Sequence, residues 1–488
     1  MHQDNTPVLS SLASFEMLEN LLVARRLEGS TEAMMTFEAF EVALGHAVRD
    51  LENELKAADL ARYDVDADAV MVNGQEWRKC LDNQPKTYLS ASGPISVSRN
   101  LYRPVGGGKS ICPLELAAGI IGGLHTPVLA RQVAYLMGHL TSEETSEVFT
   151  ELGIAGPSSS TCDRLPKRLS TVWETHRVQW ENALREQEWV EAEASVVAVS
   201  LDGVMVPDKD SQREAKTARE AAKAQGLCKS LSGPAGYREV GCGTVTLYDQ
   251  EAKRLDTVRY GRAPEYKKKT LTDQLDAELE SILAVRPDLE VVAIADGAEE
   301  NWRYFDRPLY TGATRIVDHG HACDHLRAAM TAYYGDKSVE GRAEYARLRV
   351  LLRDQAGGVG EVIKELGRLA RKLGGQRHKS RRKRLRSELT YFKNQRDRMD
   401  YADYQARGLP IGSGVVEAAC KTLATQRLKR SGMSWRDGKQ ALLTIRSLQQ
   451  SQRWSAAWAL LSAHFRVPVL MVRKRGHLRE LTPVRMAA

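Results

Sequence analysis

Two aspartates in this chain occupy the same kind of place. Asp296 closes the run LEVVAIAD, Leu289 to Asp296, and Gly297 follows it. A short run this rich in Val and Ile, ended by Asp-Gly, predicts a buried strand whose last carboxylate emerges at the sheet edge. Ser195 to Gly203, SVVAVSLDG, repeats the pattern and ends in Asp202-Gly203. Ligands of open α/β sheets gather outside the carboxyl ends of the strands, so two such strands converge two acids on one point. A third acid, Glu417, lies far downstream. The stretch Leu409 to Gly414, LPIGSG, breaks a long helical region, and a new helix from Val415 presents Glu417 in its first turn and a half, with Lys421 one turn further on the same face. Carboxylates are hard oxygen ligands for Mg²⁺ or Mn²⁺. Two such ions about 3.5–4 Å apart activate the attacking oxygen and stabilise the leaving one in an in-line phosphoryl displacement. The chemistry predicted is phosphodiester hydrolysis and strand transfer.

The elements that must position these acids follow from pattern and order. After the strand bearing Asp202, two further strands are predicted, Tyr237 to Tyr248 and Arg254 to Tyr260, then a helix from about 267 to 283 and the strand ending in Asp296. A short helix, Ala298 to Phe305, leads to the apolar run ATRIV before Asp318. An antiparallel three-strand meander followed by parallel strands with helical crossovers is the order of a ribonuclease-H-like sheet. Such a sheet needs a late helix to return the last acid to the first two, which is the place of Glu417. The fold class expected is therefore an α/β ribonuclease-H-like core, a mixed five-stranded sheet with flanking helices, interrupted by an all-α insertion. A helical and small β N-terminal region with a helix-turn-helix-like segment precedes it. The domain boundaries expected are 1–110 for the N-terminal region and 111–185 for the helix-turn-helix-like region. The core would fill 186–334 and 409–450 around a basic insertion at 335–408, and 451–488 would be a helix and basic tail.

Several other stretches bear on partners. Asn73-Gly74 marks a tight hairpin. Thr141 and Glu144 form a capping box for one helix, Gly153 stops it, and Pro157 to Thr161 cap a second that carries Arg164, Lys167 and Arg168. That is the outline of a helix-turn-helix, with Pro166 placed to kink the reading helix or confine it to its first turn. Net charge is +7 overall, yet Glu361 to Asp400 holds 14 Lys/Arg against 5 Asp/Glu, a local +9 that leaves the remainder near −2. A basic block in a near-neutral chain favours a polyanionic partner; its densest part is Arg377 to Arg386, RHKSRRKRLR, in which Arg377, Arg381, Arg382, Lys383 and Arg384 are the expected phosphate contacts. Lys421, Arg427, Lys429 and Arg430 extend the phosphate-holding surface along the late helix. Trp302 is placed to stack on a base or to pack in the core. Asp318, His321 and His325 form a secondary candidate cluster, the two histidines at a helical i, i+4 spacing used by zinc ligands. Seven scattered cysteines include no C-x-x-C pair, so neither structural zinc nor a disulfide framework is expected. The polar opening MHQDNTPVLSSLASFEM holds no apolar leader and no run approaches a membrane span, so an intracellular, cytoplasmic protein is expected.

The blocks VSLDG, AIADGAEENW, IVDHGHACDHL and Gly412 to Leu448 (GSGVVEAACKTLATQRLKRSGMSWRDGKQALLTIRSL) together resemble the bacterial insertion-sequence DDE transposases of the ISKra group, related to the Mutator-like superfamily. The likeness runs over most of residues 65 to 450. It implies Asp202, Asp296 and Glu417 as a triad holding two Mg²⁺ or Mn²⁺ ions, and matches that group's Asp-x-x-His (Asp318, His321) and Trp-x-x-Gly (Trp435, Gly438) signatures. It also implies double-stranded DNA as partner, both terminal inverted repeats and target, with a homodimer or higher oligomer on DNA in a bacterial, nucleoid-associated setting. Where related chains carry a Cys-x-x-Cys this one keeps only Cys112, consistent with no zinc knuckle. The rival readings are a ribonuclease-H-like nuclease or resolvase that hydrolyses without joining, and a domesticated, non-catalytic DNA-binding protein.

Overall fold

The computed structural model describes residues 12–211, 213, 216–217, 220, 236–373, 378–475 and 478–483. Most of the polar stretch after Asp210 and one predicted phosphate contact, Arg377, lie outside them. Two units result: one takes the residues up to Trp180 together with those from Trp454 onward, and the other is Glu181–Arg453.

The first unit begins with two helices, α1 (Ala13–Ala24) and α2 (Phe37–Ala61). Strands β1 (Ala69–Val72) and β2 (Gln75–Ser90) are joined by Asn73 and Gly74, both with positive φ, as a two-residue hairpin loop matching the twist of the sheet requires. β3 (Gly93–Pro104) pairs with the far side of β2. The other edge of β1 is taken by β9 (Val469–Arg475), with β10 (Leu478–Pro483) beyond it, all antiparallel. A basic tail is what the amino-acid pattern predicts there. The open edge of β1 explains the difference, because a short charged run becomes a strand when an unpaired ladder is available to it. Helices α3 (Pro113–Ala118), α4 (Pro127–Met137) and α5 (Ser142–Glu151) come next. α5 has both hydrogen bonds of the capping box between Thr141 and Glu144. α6 (Ser159–Arg185) then runs through Pro166 without ending there, since Leu165, Leu169 and Trp173 keep its apolar side buried. The expected confinement of this helix to its first turn is thus corrected by packing.

The second unit is built on a mixed five-stranded sheet in the order β6-β5-β4-β7-β8. β4 (Val196–Pro207), β5 (Tyr237–Tyr248) and β6 (Arg254–Arg262) form an antiparallel meander. β7 (Glu290–Ala295) and β8 (Thr314–Val317) continue it in parallel with β4. Helix α7 (Lys269–Val285) crosses from β6 to β7, and its Leu271 and Leu275 press into Gly241 and Gly243 of β5. Side chains alternate across a strand, so residues at the intervening positions face the other side. There Gly261 of β6 meets Leu423 and Leu443, which belong to the late helices. α8 (Glu299–Tyr304) links β7 to β8, and α9 (His319–Tyr334) starts directly after β8. Then come α10 (Val339–Asp354), α11 (Gly358–Lys372), α12 (Lys379–Asn394) and α13 (Tyr401–Ala406), with no strand among the described residues between β8 and Gly414. α14 (Gly414–Ala419) passes into a π-helical turn at Cys420–Thr425 and ends at Gln426–Leu428. α15 (Lys439–Gln450) closes this unit, and α16 (Trp454–Phe465) opens the return to the first.

A buried ionic cluster ties the meander to α7 and the end of α15. Arg453 donates to Glu278 at 2.6 Å and to Glu188 at 2.7 Å, Tyr260 donates to Glu278 at 2.6 Å, and Arg185 lies 3.5 Å from the same carboxylate. Burial alone would raise the Glu278 pKa, but the Arg453 guanidinium holds it below the ordinary range. Removing one charge from such a pair strands the other in a dry interior. Glu278→Gln is expected to cost about 3–5 kcal/mol in chemical unfolding; a loss below about 1 kcal/mol would show the cluster to be incidental.

Candidate active site

Asp202 lies within β4 rather than at its end, because the antiparallel partner β5 carries the strand on to Pro207. The parallel pairing with β7 stops earlier, at Ser200 and Ile294. Asp202 and Asp296 each stand two residues past that last rung, so both leave the same end of the same parallel pair. The Asp202 carboxylate accepts from the Gly203 N–H at 2.7 Å and from the Cys420 thiol at 3.7 Å. The neighbouring Cys242 thiol, burial and Asp202 itself push the Cys420 pKa up, which keeps that thiol protonated as a donor. Asp296 accepts on one oxygen from the Ala298 N–H at 2.9 Å and the Asn301 side chain at 3.0 Å.

Glu417 arrives from the opposite direction. It stands in the first turn of α14 and is 51% exposed, with the Ser413 hydroxyl 3.3 Å and the His321 ring 3.7 Å from its carboxylate. Cys420 is one helical turn further on the same side, so the turn after Glu417 is the one that touches Asp202.

Asp318 holds these pieces together. It is buried at the junction of β8 and α9, where it caps the helix by accepting from the His321 N–H at 2.6 Å. The same oxygen lies 3.2 Å from the His321 ring Nδ1, and the other accepts a short hydrogen bond from the Ser413 N–H. Gly320 makes room for this, since a Cβ there would lie 2.9 Å from the carboxylate. The preceding backbone is fixed too: the His319 N–H donates to Ile411 at 3.0 Å, and the Tyr401 hydroxyl to Val317 at 2.9 Å. Burial would raise the Asp318 pKa, yet its hydrogen bonds from His321 and Ser413 hold it at about 2. Asp318 first, with Asp296 and Glu417 adding their fields, raises His321 to about 9.

Donor atoms of Asp318, His321 and Glu417 lie within 4.8 Å of one another. That tight group contains Glu417 but neither Asp202 nor Asp296. The expected secondary cluster and the expected third acid therefore meet, while His325 turns away to Glu388 at 2.7 Å and stacks on Tyr391. The spacing of the two histidines does not make them ligands of one ion. Asp202, Asp296 and Glu417 offer carboxylate oxygens, donors of the kind that suit a hard divalent cation.

The other predicted contacts divide sharply. Trp302 is 4% exposed and the Arg398 guanidinium covers its ring at 4.4 Å, so it packs in the core instead of stacking on a base. Arg427 is buried against Trp435 and is structural. Trp435 itself bonds to Pro207 and Lys209 through its backbone and to Leu428 through its indole, pinning the late loop to the end of β4. Arg381 donates to the carbonyls of Ala332 and Tyr333, and Arg382 to that of Leu373; both are half-buried. Lys383, Arg384, Lys421, Lys429 and Arg430 are exposed. So are Lys379 and Arg386, which lie within the basic run, and Lys393 beyond it; all three fall with Lys383 on one stripe of α12. In the first unit Arg164 and Arg168 are exposed, the Arg168 guanidinium lying beside Gly122, and Lys167 pairs with Asp163 at 2.8 Å.

No family model matches this chain, and no curated protein does. Among solved structures it is similar to one described as the Drosophila P element transposase strand transfer complex, at 10% identity and a TM-score of 0.23 over 72% of this chain and 84% of that one. A likeness that loose carries no weight for fold or chemistry. Among the described residues no helix is long and apolar enough to cross a membrane.

The Asp318–His321 pair sets a pH window in the metal-free protein. Asp318 is depressed, so its share of stability is present above the ordinary carboxylate pKa near 4 and is lost as pH falls to about 2. His321 is raised, so its share is present below about 6.5 and is lost as pH climbs through about 9. Asp318→Asn is expected to lower unfolding free energy at neutral pH by about 2–3 kcal/mol. The gap from wild type should close near pH 2; a gap that stays constant with pH would contradict this pairing.

Proposed function

We propose that this chain is a DNA transposase of the insertion-sequence type, in which Asp202, Asp296 and Glu417 hold two divalent ions, Mg²⁺ or Mn²⁺, on a ribonuclease-H-like core with α10 to α13 as its helical insertion. The observation that carries the reading is the return of α14 to the sheet. Glu417 reaches a histidine that also lies in the field of Asp296, and the next turn of the same helix touches Asp202. The contact of Cys420 with Asp202, across 218 residues, supports a meeting of the three acid-bearing stretches at one end of the sheet. Strand order in the second unit supports the core assignment, and the resemblance to the ISKra group supports the triad.

The ions, when bound, would activate the attacking oxygen and stabilise the leaving one. The protein's own contribution is placement. Asn301 and the Ala298 N–H turn Asp296, and the Asp318 carboxylate fixes the start of α14 and so the reach of Glu417. His321, held cationic near neutral pH, presents positive charge beside Glu417 where a phosphate would approach. The exposed stripe Lys379, Lys383, Arg386 and Lys393 on α12 fits phosphate contacts, which set position without reading sequence. Joining both ends of an element, terminal repeats into target duplex, calls for two active sites, so a homodimer on DNA belongs to the same proposal.

A labelled duplex carrying an element end, incubated with Mn²⁺, tests this directly. Wild type is expected to cleave it and to join a pre-cut end to target DNA. Asp296→Asn and Glu417→Gln should lose on the order of 100-fold or more in rate while retaining DNA binding. Cleavage unaffected by both substitutions overturns the reading, and cleavage without joining would make the chain a nuclease. Lys383→Ala and Arg386→Ala should each weaken binding alike for all sequences and lower the salt-dependence slope by about one.

A further inference from the structure

The exit of β7 is held by an unusual set of donors. Pairing with β8 stops at Ala295 and Val317, yet the next backbone carbonyls are not left to solvent. The carbonyl of Ala295 accepts from the Asp318 N–H at 2.9 Å, that of Asp296 from the Tyr391 hydroxyl at 3.1 Å, and that of Gly297 from the Gln395 side chain at 3.0 Å. Two of the three donors are side chains from the end of α12. Gly297 has a φ of +100°, and a Cβ there would come within 2.9 Å of the Tyr391 ring, so glycine is what lets the tyrosine sit on the loop. Tyr391 is itself braced: the His325 ring stacks on it with centroids 3.6 Å apart, and Glu388 holds His325. Gln395 is buried, so its amide has little freedom to leave the Gly297 carbonyl.

We propose that Tyr391 and Gln395 are positioning residues for Asp296: from α12 they hold the carbonyls of Asp296 and Gly297, and so set the direction in which that carboxylate faces a divalent cation. The inference rests on the proposed role of Asp296 and adds what keeps it in place. The exit loop between Ala295 and Glu299 is three residues long, and the Ala298 N–H and Asn301 hold its carboxylate by one oxygen. The carbonyls of Asp296 and Gly297, which set the backbone on which that carboxylate turns, are held by Tyr391 and Gln395. Glu388 and Tyr391 share one face of α12, whose C-cap is Gln395, and Lys379, Lys383, Arg386 and Lys393 lie on roughly the opposite face. The helix therefore offers one face to the acid and another to solvent.

The test measures Mn²⁺ binding directly by calorimetric titration of the full chain, alongside DNA affinity and the Mn²⁺ dependence of cleavage. Tyr391→Phe keeps the ring and its stacking and removes only the donor; Gln395→Met does the same for the amide. Each is expected to weaken Mn²⁺ binding by about 3–10-fold, the loss of one hydrogen bond, with DNA affinity unchanged and cleavage restored by excess Mn²⁺. A purely structural role would lower thermal stability and leave the Mn²⁺ affinity where it was, which overturns the proposal. Asp296→Asn separates the two failures. If it abolishes Mn²⁺ binding while Tyr391→Phe and Gln395→Met change nothing, only the positioning role is lost. If it leaves Mn²⁺ binding and cleavage intact, the functional reading falls with it.

Discussion

One buried carboxylate, Asp318, decides whether the candidate site exists. A helix can be packed against a sheet at many rotations and heights, and apolar contact alone does not choose among them. The Ser413 N–H donating to Asp318 does choose, since a charge-assisted hydrogen bond in a buried place tolerates little displacement. It fixes where α14 starts, and that start determines how far Glu417 reaches. The same carboxylate caps α9 and faces the His321 ring, so strand, helix and late loop are registered by a single group. Its cost is the desolvation of an anion, offset by an imidazolium and two backbone donors.

Around that point the unit separates support from chemistry. The face of the sheet covered by α7 is apolar and carries the Arg453–Glu278 cluster near its edge. The other face carries Asp202 and Cys242 and receives the late helices. The π-helical turn at Cys420–Thr425 lies where α14 changes task, from presenting Glu417 and Cys420 to packing Leu423, Ala424 and Arg427. An extra residue in one turn rotates every side chain beyond it, a device found often at functional sites. Basic residues divide in a similar way: those whose guanidinium groups meet carbonyls brace the helices, and the exposed stripe of α12 does not.

Period-2 and apolar-run patterns were enough to read the strands of both sheets from Ala69 to Val317, because burial of a strand leaves a local mark. The capping box at Thr141, the Asn73-Gly74 loop and the helix start before Glu417 were legible for the same reason. Long-range partners left no such mark. Tyr391 meets Asp296 across 95 residues and Cys420 meets Asp202 across 218, and nothing near either side chain announces the other. Charge misled where it could not be told apart from structure: Arg381, Arg382 and Arg427 read as surface cations, and each is committed to internal contacts. Trp302 showed the reverse problem, an aromatic near an acid whose ring is already covered. β9 and β10 were missed because their pairing depends on an edge formed far earlier in the chain, at Ala69 to Val72.

That last pairing has a consequence for synthesis. β3 ends at Pro104 and β9 begins at Val469, so the sheet of the first unit stays two strands short while the whole of Glu181–Arg453 is made. At ribosomal rates of about 5–20 residues per second, that interval lasts about 20–70 s. For its duration β1 shows the nascent chain a bare edge, a hazard that folded proteins normally cover. The segment that closes this layer leaves the ribosome only after Glu181–Arg453 has been made, so a message cut short upstream of Val469 yields a product whose sheet never finishes.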